Sequence, residues 1–150
     1  MTADEILLLK ASLQKMGPQL ERAAGTFTQR LFQVNPALCD IATHGRELFR
    51  IMAAAVQNIG QLEYLAPSAR QFGRHHASSH IRQTDYDAVG EAFLWSLERS
   101  LGRDFTNEME TAWGKVYWLM TEIIKAGARD GAAILNRHHA ADFRVARCSA

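Results

Sequence analysis

The sequence lacks most of the features that mark membrane, metal-ribbon and nucleic-acid-binding proteins. No apolar run approaches the roughly 20 residues that span a bilayer. There are only two cysteines, Cys39 and Cys148, and neither belongs to a CxxC motif, so a zinc-ribbon site has no support. Lysine and arginine are scattered among aspartate and glutamate, and the net charge is +1. We therefore expect no basic face for nucleic acid.

The amino-terminal residues also lack the basic region of a secretory signal peptide. Without that region, and without a candidate membrane span, we expect a cytoplasmic protein that does not insert into membranes. In a reducing compartment the two cysteines are expected to be free thiols.

Apolar residues recur at helical spacing along most of the chain, and runs that alternate with the two-residue period of a strand are missing. The pattern predicts an all-α protein with about seven helices. Thr2 and Glu5 have the spacing of a capping box at the first helix. Thr84 and Thr106 are predicted to cap the last two long helices.

Glycine near the end of the last periodic stretch predicts where the folded domain ends. Gly127 follows the apolar positions of the last long helix, so we expect that helix to end there. The sequence therefore predicts one domain over residues 1–127. A tail over residues 128–150 is expected to add at most one short helix. Periodicity alone leaves a bundle, a helical-repeat fragment and a helical sandwich open.

Two histidines stand at the ends of neighbouring predicted helices. His44 begins the helix that carries Leu48, and His76 ends the helix that follows. A histidine at a helix end is often only a favourable charge or cap. Two helices that each offer an imidazole to a shared apolar slot, however, could hold a flat ligand such as haem, whose iron imidazole commonly ligates.

Three motifs, in a fixed order and spacing, resemble one known family. They are Arg30-Leu31-Phe32 with Asn35-Pro36-Ala37-Leu38; Arg74-His75-His76, nine residues, then Tyr86 with Val89-Gly90-Glu91; and Ala112-Trp113-Gly114-Lys115-Val116-Tyr117. Over roughly residues 6–127 the chain resembles the bacterial haemoglobins and the globin domain of flavohaemoglobins. The resemblance implies the globin fold, a three-on-three helical sandwich, with a short carboxy-terminal extension.

The resemblance also implies roles for individual residues around haem b, iron protoporphyrin IX. His76 falls on the proximal iron ligand, and His44 falls on the distal position. Leu48 matches an apolar pocket leucine, and Tyr86 matches a tyrosine on the proximal side. His80, four residues after the proximal histidine, matches a histidine that approaches a haem propionate.

Three positions depart from the pattern of the family. Thr28 stands where flavohaemoglobins carry the distal tyrosine that hydrogen-bonds bound oxygen, and Ala42 stands where globins place a phenylalanine against the haem. Ala128 replaces the glutamate that pairs with the tyrosine matched by Tyr86. The site is therefore expected to work differently from that of flavohaemoglobins.

Two functional classes and one haem-free alternative follow from this resemblance. The first is reversible binding of O2, NO or CO, with His44 either donating a hydrogen bond to the ligand or binding iron as a sixth ligand. The second is a redox enzyme, an NO dioxygenase or nitrite reductase. It would need a separate reductase, because no G-x-G-x-x-G motif occurs. The third is a haem-free signalling globin. A monomer and a homodimer both remain open.

Overall fold

The computed structural model describes residues 1–76 and 81–148, which contain seven α-helices and no strand. The helices are α1 (Ala3–Met16), α2 (Leu20–Val34), α3 (Cys39–Thr43), α4 (Gly45–Gln57), α5 (Ala66–His75), α6 (Gln83–Leu101) and α7 (Asn107–Cys148). The all-α prediction is confirmed. Although α7 is long, none of these helices combines the length and the hydropathy that a membrane-crossing segment needs.

Local side-chain chemistry explains where several helices begin and end. The Thr2 hydroxyl accepts the backbone N–H of Glu5, and the Glu5 carboxylate accepts the backbone N–H of Thr2, so the predicted capping box is confirmed. The predicted cap at Thr84 is wrong. Helix α6 begins at Gln83, two residues earlier than a cap at Thr84 would place it, and its cap is Arg82, whose backbone N–H donates to the carboxylate of Asp85 at 2.8 Å.

Helix α7 does not end near Gly127 but continues without a break to Cys148. The reason is packing. A Cβ atom at Gly127 would lie 2.1 Å from the carbonyl oxygen of Arg70, and one at Gly73 would lie 2.0 Å from the carbonyl oxygen of Ile124. Both glycines therefore allow α5 and α7 to cross with their backbones in contact, and Gly127 marks this crossing rather than a helix end.

The helices pack as two layers around one apolar core. Helices α1, α4 and α5 lie against α2, α6 and α7, with the most extensive contact between α5 and α7. At the centre, the Trp113 indole N–H donates a hydrogen bond to the Ser12 hydroxyl at 3.0 Å, so both buried polar groups are satisfied. This arrangement is the predicted three-on-three sandwich, and it brings the start of α4 close to the end of α5, where His44 and His76 meet.

Candidate functional site

His76 follows the last residue of α5, and its ring is buried. The Nδ1 atom lies 2.8 Å from the carbonyl oxygen of Phe72, whose ring is also in contact with the imidazole. Because a carbonyl only accepts, this contact places the ring proton of a neutral imidazole on Nδ1. The Nε2 atom then carries a lone pair, and it is buried without a hydrogen-bond partner in the described structure.

His44 occupies the residue before α4, at its junction with α3. Its Nδ1 atom lies 2.7 Å from the carbonyl oxygen of Asp40, one helical turn earlier. The same argument therefore assigns the proton to Nδ1 and leaves the lone pair on Nε2. Unlike His76, the side chain of His44 is exposed.

The two imidazoles meet between α4 and α5. Their ring centroids are 5.0 Å apart, and the ring planes are nearly perpendicular, at 88°. Each ring is oriented by a carbonyl of its own chain segment, since His44 uses Asp40 and His76 uses Phe72. The structure thus brings two imidazole side chains to one place, one from the start of α4 and one from the end of α5.

An apolar pocket lies behind the histidine pair, towards the core. Its volume is about 20 Å³, and it is lined by Ile41, Leu48, Phe72, His76, Ile81, Tyr86, Val89, Tyr117, Thr121 and Ile124. The two residues that the sequence analysis assigned to the pocket, Leu48 and Tyr86, are both part of this lining. Such a lining excludes water from the inner side of the His76 imidazole.

Two open clefts flank the pair on its outer sides. The larger, of about 580 Å³, is lined by His44 and by residues of α4 and α5, including Arg46 and Arg50. The smaller, of about 320 Å³, is lined by His76 and Tyr86 together with Ala128, which is the position of the missing glutamate. The histidines therefore stand between a closed apolar interior and two accessible surfaces.

Two tyrosines and a lysine surround the proximal end of the site. The Tyr117 hydroxyl donates a hydrogen bond to the carbonyl oxygen of Tyr86 at 2.7 Å, and burial raises the pKa of both phenols. The Lys125 ammonium lies 5.1 Å from the centre of the Tyr86 ring. The sequence analysis missed Lys125, although its place one turn before Ala128 on α7 was a signal that could have found it.

Thr28 lies against the backbone of Ala42 and Gly45, on either side of His44, and is not part of the lining of either cleft or of the apolar pocket. Its hydroxyl is 2.9 Å from the carbonyl oxygen of Ala42 and 3.1 Å from that of Ala24. A Cβ atom at Gly45 would lie 2.9 Å from the same hydroxyl oxygen. Thr28 therefore joins α2 to the short segment that carries His44.

Ala42, the remaining described position that departs from the family pattern, does not add to the site. Ala42 is buried, and the two phenylalanines that could have replaced its missing ring, Phe27 and Phe49, pack edge to face in the core with centroids 5.8 Å apart. Neither phenylalanine lines the apolar pocket. His80 lies outside the described residues.

The fold and the site together define an all-helical sandwich that holds two opposed imidazoles beside an apolar pocket. Residues 28–124 match the globin family model, and the chain belongs to the globin family. This agrees with the family that the three sequence motifs resemble.

The curated relatives include flavohemoproteins of bacteria. The chain is 30% identical over 151 residues to the flavohemoprotein of Vibrio cholerae, covering 93% of this chain and 37% of that protein. It is 29% identical over 125 residues to the flavohemoprotein of Bacillus subtilis, covering 78% of this chain and 31% of that protein. The chain thus spans about a third of the length of these relatives.

A solved structure with a similar fold is the crystal structure of a hexacoordinated heme protein from an anhydrobiotic tardigrade at pH 4. The two chains superpose with a TM-score of 0.75 at 19% sequence identity, over 86% of this chain and 96% of the other. At this identity the likeness establishes the shared fold.

Proposed function

We propose that this globin binds one haem b between α4 and α5, with His76 as the proximal and His44 as the distal ligand of the iron. One observation carries the proposal: the two rings lie in contact with centroids 5.0 Å apart, while each Nδ1 atom lies within hydrogen-bonding distance of a carbonyl oxygen. Both Nε2 atoms therefore retain the lone pair that a metal ligand needs.

The two histidine nitrogens are suitable ligands for haem iron. Haem, when bound, would supply an iron that His76 and His44 could hold through their Nε2 atoms and that could also bind diatomic gases. The carbonyl of Phe72 fixes the tautomer and the direction of the His76 ring, as outer partners of metal-bound histidines generally do. A ligand at the buried Nε2 atom would also satisfy a polar group that has no other described partner.

The surroundings suit a flat, mostly apolar molecule with a charged edge. Leu48 and Val89 belong to the dry lining of the inner pocket, while Arg46 and Arg50 line the open cleft beside His44. Guanidinium groups pair well with carboxylates, such as those of the porphyrin. Because the two rings touch, a planar ligand between them requires α4 and α5 to move apart.

The two histidines differ in how readily they can leave a ligand position. His76 is buried and packed against Phe72, whereas His44 is exposed beside the cleft of about 580 Å³. We therefore propose that His44 is the displaceable ligand, and that O2, NO or CO binds reversibly at its position. A first ligand held firmly and a second held loosely suit reversible gas binding.

Haem titration of the purified protein tests this proposal. Wild type is expected to take up one haem per chain with a strong Soret band. His76→Ala should lose tight binding, and His44→Ala should keep the haem. The matched control is His75→Ala, which removes the exposed neighbour of His76 and should titrate like wild type. Wild type without a Soret band, or His76→Ala with wild-type affinity, would contradict haem binding and favour a haem-free role.

A further inference from the structure

Lys125 is a cation enclosed at the proximal side of the site. Its side chain is only 16% exposed. The ammonium donates hydrogen bonds to the side chains of Gln83, at 2.7 Å, and Glu122, at 2.9 Å, and it faces the Tyr86 ring. Lysine is rarely buried to this degree, and a charge removed from water acts over longer distances than a solvated charge.

The charges near His76 are unevenly placed. Lys125 and Arg129 line the cleft of about 320 Å³ beside His76, whereas no carboxylate is part of that lining. Glu122, the ion-pair partner of Lys125, is 44% exposed, so water screens its charge more strongly. The charged side chains among the described residues that line the cleft beside His76 are therefore both cations.

We propose that Lys125 raises the reduction potential of the iron that His76 holds, which favours the ferrous state. When ferric iron gains one electron, the charge of the centre falls by one unit, and a nearby fixed cation stabilises the reduced form relative to the oxidised form. This inference rests on the proposed haem binding. It also fits Ala128, since the chain has a cation one turn before the position where the resemblance implies a carboxylate.

Spectroelectrochemical titration of the haem-loaded full chain tests the inference. Here an electrode with mediators supplies the electron. Replacing the cation with an apolar chain of similar length, Lys125→Met, is expected to lower the ferrous-to-ferric ratio at a given potential by about fivefold. That change corresponds to about 40 mV, because a tenfold change is 59 mV for a one-electron couple. Lys125→Arg, which keeps the charge, should retain the wild-type potential.

Two further variants test whether the effect comes from the charge of Lys125 or from the structural role of its ion pair. Glu122→Gln removes the screening anion, so it should raise the potential by a smaller amount, about twofold in the same ratio. A purely structural ion pair would instead give shifts of the same sign from both partners. Lys115→Met is the matched control, because Lys115 also lies on α7 and pairs with a glutamate, Glu5, at the far side of the fold.

The outcomes distinguish this inference from the proposal on which it rests. Failure of wild type to bind haem would remove both. Haem-loaded Lys125→Met with the wild-type absorption spectrum and an unchanged potential would overturn the role of Lys125 alone. If Lys125→Met does not fold, Glu122→Gln still decides, since a lowered or unchanged potential there contradicts the inference.

Discussion

The two sides of the proposed haem site, that of His76 and that of His44, differ in how firmly they are packed. On the proximal side, α5 crosses α7 backbone to backbone at Gly73 and Gly127, and the histidine at the end of α5 is buried. On the distal side, His44 stands at a junction between two helices, exposed, with its ring oriented by the carbonyl of Asp40. The His76 imidazole is therefore fixed in the core, whereas the His44 imidazole has space to turn towards solvent.

This difference suggests that the two histidines have different roles. A ligand that must stay bound gains from neighbours that fix its position, as Phe72 does for His76. A ligand that must yield to a gas gains from an open space into which it can swing. Substitutions on either side of the site should make this difference smaller or larger.

Removing the displaceable ligand should have the largest effect. In His44→Ala, no distal imidazole would compete with CO for the haem iron, so association of CO should be about tenfold faster or more, because a competing bound state lowers the apparent affinity by its population. Stopped-flow mixing with CO measures the rate. In wild type the rate should level off at high CO concentration. A wild-type rate that stays linear and equals that of the variant would contradict the displacement.

Filling the helix crossing should loosen the proximal side. Gly127→Ala puts a Cβ atom 2.1 Å from the Arg70 carbonyl oxygen, so we expect destabilisation of about 1–3 kcal/mol. Gly114→Ala on the same helix meets nothing within 4 Å and should stabilise the protein by about 0.5–1 kcal/mol. Urea unfolding of both variants measures the contrast. Equal effects would show that the crossing is not close-packed.

Removing the hydrogen bond from Thr28 to the segment that carries His44 should have a smaller effect. Thr28→Val keeps the shape of the side chain but removes the hydroxyl that bonds the Ala42 carbonyl, so unfolding free energy should fall by about 1 kcal/mol. Because Ala42 lies two residues before His44, CO association should also change. Thr26→Val is the control, since the Thr26 hydroxyl bonds only within α2, to the Arg22 carbonyl. Indistinguishable CO kinetics in both variants would argue against this support.

The smallest effect is expected in acid, at the start of α6. Hydrogen bonds from Arg82 hold the pKa of Asp85 below its ordinary value of about 3.9. A lowered folded pKa contributes stability that is present above the unfolded pKa and is lost as pH falls through the folded pKa. Asp85→Asn should therefore cost about 1 kcal/mol at neutral pH and flatten the loss of stability below about pH 4. Parallel acid unfolding curves for wild type and variant would refute this.

The fold was predictable because its signals are local and repeated. Helical periodicity, the Thr2 capping box and the spacing of three motifs all favour the same all-α sandwich, and the structure has it. Helix ends were less predictable. Gly127 is of a residue type that is common at helix ends. Its actual role depends on Arg70, which is distant in sequence and becomes a neighbour only in the folded chain.

The two histidines of the candidate site were predictable, because each can be recognised from its own position in the sequence. His44 and His76 stand at helix ends in the sequence, and the structure places their rings together. Lys125 has only one signal in the sequence, its place one turn before Ala128 on α7. Its low exposure and its contact with Tyr86 on another helix are not visible in the sequence. Thr28 was assigned to the ligand pocket by alignment of position, but its hydroxyl points to a carbonyl instead.

The visible absorption spectrum of the ferrous, haem-loaded protein tests the central claim most directly. If both His44 and His76 bind the iron, wild type should show two sharp visible bands. His44→Ala should convert these bands into one broad band, and added CO should give both proteins the same spectrum. One broad band in wild type, unchanged in His44→Ala, would contradict the account, because it would mean that the distal histidine does not bind the iron.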